Sequence, residues 1–155
     1  QVQTLLELAN LNVRITNPYA FATKGEMLVD CHDQPLLQTL AATSTSCGRF
    51  ARSGYKHCGR CVPCLIRRAS FHAWGKQDKT GYRYADLSRD NEDHVRFDDV
   101  RSAAMAVAQV SADGLDRWLG PSLASTLIDD VDPYKDVVAR GLDELGSFLS
   151  AVGVL

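Results

Sequence analysis

The chain has 155 residues, 45% of them apolar, and a formal net charge of −2. That is enough for one domain, or for two small units sharing a core. No apolar run approaches the ~18 residues that a membrane-spanning helix needs, so membrane-helix functions are excluded. The near-zero charge hides an asymmetry. Residues 34–77 hold no Asp or Glu but seven basic residues, Arg49, Arg52, Lys56, Arg60, Arg67, Arg68 and Lys76, and the remainder carries −9. Such a stretch attracts phosphates, carboxylates or nucleic acid; the plainer reading is solvated surface and partners for the acidic remainder.

Residues 2–10 read as the end of a helix with Val2, Leu5, Leu6 and Ala9 on one side. Residues 12–16 alternate enough for one short strand, and Asn17-Pro18-Tyr19 is a turn signal. Thr23-Lys24-Gly25-Glu26 opens a helix as a capping box, in which the hydroxyl and the carboxylate satisfy each other's backbone donors. Asp33-Gln34-Pro35 restarts a short helix through Leu40, and residues 43–55 form a loop rich in hydroxyls and glycine. Residues 61–74 are predicted helical, with Leu65, Ala69 and Ala73 as the apolar side and Arg67 and Arg68 as the charged one. Residues 76–92 are polar and irregular, and a boundary is expected there. Beyond it only helical patterns follow: 99–110 capped by Asp98, then 115–119 and 122–128 split by Gly120-Pro121, then a last helix from Asp132-Pro133 with Tyr134, Val138, Gly141 or Leu142, Leu145, Leu149 and Val152 at helical spacing.

The most informative residues are four cysteines. Cys47 is followed by Cys58-Gly59-Arg60-Cys61-Val62-Pro63-Cys64. Three thiols two residues apart pair poorly with one another as disulfides. They converge on one point if the chain turns at Gly59, which tolerates positive φ, and enters a helix at Pro63. Cys61 and Cys64 then share a face, and Cys47 arrives from the preceding loop as the fourth ligand. Four thiolates around one cation is the closed arrangement of structural Zn²⁺, favoured here over a redox or disulfide pair. Cys31 is expected to be a buried thiol. Zinc thiolates plus an unpaired cysteine fit a reducing, cytoplasmic compartment.

Other candidates are weaker. Lys24 in the first turn of a helix opposes the macrodipole, which makes sense if an anion lies nearby; the bland reading is an exposed lysine. Ser44, Thr45 and Ser46 offer hydroxyls beside the metal or serve as turn formers. Arg67 and Arg68 could grip a carboxylate or phosphate, or support the thiolates from outside. His57 beside Cys58 is superfluous as a ligand. His32, His72 and His94 lack a partner pattern. Asp90, Glu92, Asp93, Asp98 and Asp99 read as helix-start and surface charge.

Taken in order, Asn17-Pro18-Tyr19, Thr23-Lys24-Gly25-Glu26-Met27, Thr45-Ser46-Cys47, Cys58-Gly59-x-Cys61-x-x-Cys64-Leu65-x-Arg67-Arg68 with Phe71, and Asp78-x-Thr80-x-Tyr82 resemble the C-terminal half of the 7-cyano-7-deazaguanine synthase family of the queuosine pathway. The resemblance covers residues 11–82. The fuller Asn-Pro-Tyr plus Thr-Lys-Gly-Glu-Met wording and the tail's Arg140-Gly141-Leu142-x-Glu144-Leu145 look closer to the synthase-like component of Qat antiphage systems. The resemblance implies an ATP-pyrophosphatase ligase with Mg²⁺: a substrate carboxylate attacks the α-phosphate of ATP, releases pyrophosphate, and the acyl-adenylate is displaced by an amine. It also implies one structural zinc propping the substrate pocket, Lys24 facing phosphate or carboxylate, Ser46 and its loop lining the pocket, and Arg67, with Arg68 beside it, near the substrate.

Three departures accompany it. The Ser-Gly-Gly-x-Asp-Ser phosphate loop is absent, so this chain alone is not expected to bind ATP properly or turn over. Gly48-Arg49-Phe50 follows Cys47 where the family has an aromatic, and 73 residues continue past Tyr82. The first methionine is Met27 and Gln1-Val2-Gln3-Thr4 carries no leader pattern, so a piece of a longer protein is expected, whose missing N-terminal half is the first partner. A homodimer through an exposed apolar N-terminal face and a protein partner at the tail are further expectations. The expected fold is mainly α with one or two short strands, the remnant of an adenine-nucleotide α-hydrolase-like α/β fold: residues 1–82 a synthase-like half bearing the zinc, residues 83–155 a helical extension. The rival function is a non-catalytic zinc module that binds nucleic acid or a partner protein, against which stand the lack of a basic-aromatic stacking pattern and the negative overall charge. Housekeeping queuosine biosynthesis is the third reading.

Overall fold

The computed structural model describes residues 2–87, 99–123 and 130–155. The chain is mostly helical: α1 (Val2–Leu8), α2 (Lys24–Val29), α3 (Gln34–Leu40), α4 (Val62–Trp74), α5 (Asp99–Asp113), α6 (Leu115–Leu123) and α7 (Asp132–Ala151), with single 3₁₀ turns at Ala41–Thr43 and Ala51–Ser53. No helix among the described residues is long and apolar enough to cross a membrane.

The predicted strand at 12–16 joins no ladder; among the described residues the only β pairing is one parallel bridge, His57 with Tyr82. A strand needs a neighbour to satisfy its backbone. Here the Gln3 side chain takes that place, accepting from the Ile15 amide at 2.9 Å and donating to the Val13 carbonyl at 3.1 Å. The helix pair predicted at 115–119 and 122–128 is instead one helix that runs through Gly120 and Pro121 to Leu123. A proline removes one donor without ending the helix at that point. Residues 124–128 and the Asp98 cap lie outside the described residues, as do Asp90, Glu92, Asp93 and His94.

Helix α4 is the centre of the molecule, packed by α2 on one side and α7 on the other. That explains why it buries two faces rather than the one stripe the sequence suggests. Leu65 and Ala69 join Leu87, Val100, Ala103, Phe148, Leu149 and Val154 in one cluster; Phe71 and Trp74 join Ala41 in a second, covered by Leu28 and Leu37. Ala73, expected in the core, is exposed, and Arg67, expected on a charged surface, is buried. The first cluster draws on both sides of Tyr82, and its fully buried members Leu65 and Leu149 each contribute about 1.5–3 kcal/mol.

The C-terminal helix also grips α2. The predicted capping box is formed, Thr23 Oγ1 accepting from the Glu26 amide at 3.1 Å and the Glu26 carboxylate accepting from the Thr23 amide at 2.8 Å. Glu144 of α7 reaches the same turn, accepting from the Thr23 hydroxyl and, at 3.2 Å, from the Gly25 amide. Gly25 leaves the room for it: a Cβ there would stand 2.3 Å from a Glu144 oxygen. Arg140 donates to Glu26 at 2.5 Å and to the Phe21 carbonyl at 2.7 Å, and pairs with Asp136.

The Arg140 hydrogen bond and the Thr23 amide hold the Glu26 carboxyl below its ordinary value. The contribution of a carboxylate depressed in this way is present above its unfolded-state pKa and is lost as pH falls through the lower folded value. Glu26→Gln is therefore expected to unfold earlier than the parent at neutral pH, with the gap closing below about pH 4. Thermal melts of both proteins across that range check it, and a gap that persists in acid would assign the contribution to shape rather than charge.

Candidate metal centre and adjoining cavity

The four cysteines converge as their spacing predicts. Cys47, Cys58, Cys61 and Cys64 are all buried and unpaired by disulfides, and their sulfurs lie within 4.8 Å of one another. A tetrahedron of sulfurs ~2.3 Å from a cation places them ~3.8 Å apart. The Cys47–Cys61 and Cys58–Cys64 sulfur pairs are both 3.9 Å apart, against the ~2.05 Å of a disulfide. This group could hold one metal ion, and its all-sulfur donor set is consistent with zinc. His57 is outside the ligand set, and Cys31 is half-buried, not buried as expected, with its thiol near the Asp33 carbonyl at 3.8 Å.

Local geometry explains the convergence. Gly59 has φ +88°, and any Cβ there would meet the Tyr84 carbonyl oxygen at 2.3 Å. Cys61 is the extended N-cap of α4, with Pro63 in the first turn. Backbone pairing of Arg83 with the His57 carbonyl (2.8 Å) and of Tyr84 with the Cys58 carbonyl (3.1 Å) ties the turn to the segment after Tyr82. Amides point at the sulfurs: Arg49 and Cys58 donate to Cys47, and Cys61 to Cys58, each at 3.3 Å. Such donors favour thiolate. Burial opposes them and pushes the Cys58 and Cys64 thiols up, so four thiolates together require a cation.

Beside the centre lies a cavity of about 370 Å³ between α2, α3, α4 and the loop before Cys47. Three of the four residues singled out for anion binding, Lys24, Ser46 and Arg67, line it together with Ser44, Thr45, Ser70 and the apolar Met27, Leu28, Leu37, Leu40, Pro63 and Phe71. The fourth, Arg68, is on the other side of α4. It donates to the Gly59 and Ala85 carbonyls at 3.2 and 2.6 Å, and its guanidinium stacks over Tyr82.

Arg67 reaches the cavity with its fork largely committed. Its Nε donates to Thr80 Oγ1 at 3.0 Å, Nη1 to Ser44 Oγ at 2.9 Å and Nη2 to the Ala41 carbonyl. Thr80 is held in turn by Asp78, which accepts from the Thr80 amide at 2.9 Å and from the Tyr82 hydroxyl at 2.6 Å. The Asp78-x-Thr80-x-Tyr82 motif is thus a bracket for Arg67 and Arg68. His57 has a comparable part: its Nε2 accepts from the Ser46 amide at 3.3 Å, and burial, then repulsion from Arg67, lowers its pKa and keeps it neutral for that task. The Ser46 hydroxyl is buried without a hydrogen-bond partner.

The basic stretch is less of a surface patch than its composition suggests. Arg60 and Arg67 are buried, Arg68 is half-buried, and Arg49 pairs with Asp99 at 3.6 Å. Sequence reasoning reached Asp78, Thr80, Arg140 and Glu144 only as motif residues of the resemblance and missed their part as supports: Asp78 and Thr80 hold the arginines, and Arg140 and Glu144 of α7 hold the start of α2. The i,i+4 spacing of the last two on an amphipathic helix was the available signal.

The chain is similar to the 7-cyano-7-deazaguanine synthase of Brucella anthropi (35% identical over 80 residues) and to those of Brucella ovis and Brucella canis (36% over 78 residues each). Each match covers 50% of this chain and 31% of the relative, so the chain spans about a third of the length of the curated relatives it matches. No family model matches the chain, and no solved structure matches it. Across the matched 50% of its length, the chain is similar to 7-cyano-7-deazaguanine synthases.

Proposed function

We propose that the chain is the zinc-bearing C-terminal part of a synthase-like, ATP-dependent ligase. The parent protein adenylates a carboxylate of deazapurine type for amide or nitrile formation or for conjugation. One structural Zn²⁺ sits on Cys47, Cys58, Cys61 and Cys64, and ATP and Mg²⁺ belong to the N-terminal half that carries the phosphate loop. Residues 1–82 are the synthase-like part, and residues 83–155 are an extension that braces it, with antiphage defence the role in view. The work is cytoplasmic.

The observation that carries the reading is that the cavity and the cysteine cluster share a wall. Ser46 adjoins Cys47, Pro63 adjoins Cys64, and Arg67 follows one turn later on the same helix. A metal there would hold the cavity's shape without touching a ligand. Within the cavity, Lys24 supplies the cation for a carboxylate or phosphate, the Ser46 hydroxyl supplies a hydrogen bond, and the apolar walls receive a flat ring. Arg67 sets the Ser44–Ser46 loop. The exposed apolar side chains Leu5, Leu8, Val13 and Ile15 at the N-terminal end suit the face that meets the missing half, or a second copy when that half is absent.

The test is carboxylate-dependent exchange of pyrophosphate into ATP by the parent protein. Lys24→Gln is expected to lower that exchange by about 10²-fold, the scale of losing one charged contact to a developing anion, with metal content unchanged. Exchange untouched by Lys24→Gln would remove the cavity from the reaction. Salt-dependent binding of RNA or DNA by this chain, with no exchange in the parent, would favour the rival binding module.

A further inference from the structure

Arg60 is the most anomalous residue in the molecule. It is 0% exposed, and its Nε, Nη1 and Nη2 have no hydrogen-bond partner. A buried guanidinium without a compensating negative charge is strongly destabilising, so the position must be explained by something that offsets it. The residue stands between Cys58 and Cys61, immediately before the Cys61 amide that donates to the Cys58 sulfur at 3.3 Å. Arg68 reaches the same turn, its Nη1 donating to the Gly59 carbonyl at 3.2 Å, and is within electrostatic reach of both Arg60 and Cys64.

Four thiolates around a divalent cation leave two net negative charges in a buried centre. The two arginines supply two positive ones. We propose that Arg60 is the internal counter-cation of the metal tetrathiolate, acting through space with Arg68 to make the centre electrically neutral and its thiolates inert. The proposal rests on the tetrathiolate reading above and concerns what holds its charge. It also accounts for the orphan: the partner of Arg60 is the field of the whole centre, which needs no single hydrogen bond.

The metal-loaded chain decides it, with Arg60→Met and Arg60→Gln as neutral replacements and Arg60→Lys as the charge-conserving one. Metal release to a chromogenic chelator is expected to be about 10–100-fold faster in the neutral variants, the scale of losing a supporting residue at a metal site, and close to the parent in Arg60→Lys. With iron in place of zinc, reduction takes the centre from one net negative charge to two. The reduction potential should then fall in the neutral variants and hold in Arg60→Lys; looser packing that admits water would instead favour the more charged reduced state and raise it.

Equal release rates and potentials in the parent and the neutral variants would overturn the proposal while leaving the metal site intact. If neither neutral variant folds with metal but Arg60→Lys does, the requirement for charge is upheld; if all three fail, shape is what matters and the proposal falls. A parent that takes up no metal would overturn the tetrathiolate itself, and the role of Arg60 with it.

Discussion

Cys61→Ser is expected to strip the metal and to unfold residues 43–74 with it. The free energy of a structural zinc site is about 10–16 kcal/mol in small zinc modules, and that exceeds most of the ~5–15 kcal/mol by which a whole domain is stable. No other contact in the cysteine loop compares. Its other supports are individually small: the pairing of residues 57–58 with 83–84, the ring contacts of Phe50, His57 and Tyr82, and the bonds of Ser46 to His57, Arg67 to Ser44, Arg68 to Gly59 and Arg49 to Asp99. Cys61 is also the N-cap position of α4 but makes no side-chain cap bond, so what the helix on which α2 and α7 pack loses in Cys61→Ser is its tie to the metal, not its cap. Metal content should drop from one equivalent per chain, and amide exchange should rise first at 43–74 and then in α7, whose Phe148 and Leu149 lose Leu65 and Ala69. Serine is close in size to cysteine, so a steric account is not available. Full metal and full helicity in Cys61→Ser would end the four-thiolate reading.

The cysteine spacing made this centre legible in advance because its geometry is local: one turn at Gly59, one helix start at Pro63 and one loop residue. The capping box at Thr23 and Glu26 and the Asp33 cap of α3 were legible for the same reason. What was not legible depends on distant partners. Residues 12–16 carry a strand's alternation, but among the described residues no second strand pairs with them. Arg67 and Arg68 are adjacent and identical in type, and only the placement of α4 between α2 and α7 sends one to the cavity and the other to Tyr82. The buried state of Arg60 could not be read from a two-residue gap in a cysteine motif. Glu144 and Arg140 lie more than 110 residues from the turn they hold. Sequence periodicity reports which face of an element is apolar; it does not report which polar side chain is taken inside to satisfy another element's backbone.

Arg67→Met should destabilise the chain by at least about 3 kcal/mol, since hydrogen bonds to a charged group contribute about 1.5–3 kcal/mol each and three are lost at once. Two of the partners are in different segments, the Ala41 carbonyl at the end of α3 and Thr80 beyond α4, and Ser44 adds the loop leading to Cys47. Methionine fills much of the same volume, so the loss is polar and not a cavity. At this chain length the effect corresponds to a fall in melting temperature of roughly 6–12 °C. Arg67→Lys separates the two roles this residue could have. Lysine keeps the charge but cannot span three acceptors with a planar fork. A residue that merely faces a ligand would tolerate Lys with stability unchanged; a residue that ties α3, the Ser44–Ser46 loop and Thr80 together would not, and Arg67→Lys is expected to recover less than half of what Arg67→Met loses. Thermal melts of the two variants, with metal content measured alongside to show that the cysteine centre is intact, therefore determine whether the cavity wall is built by Arg67 or only decorated by it.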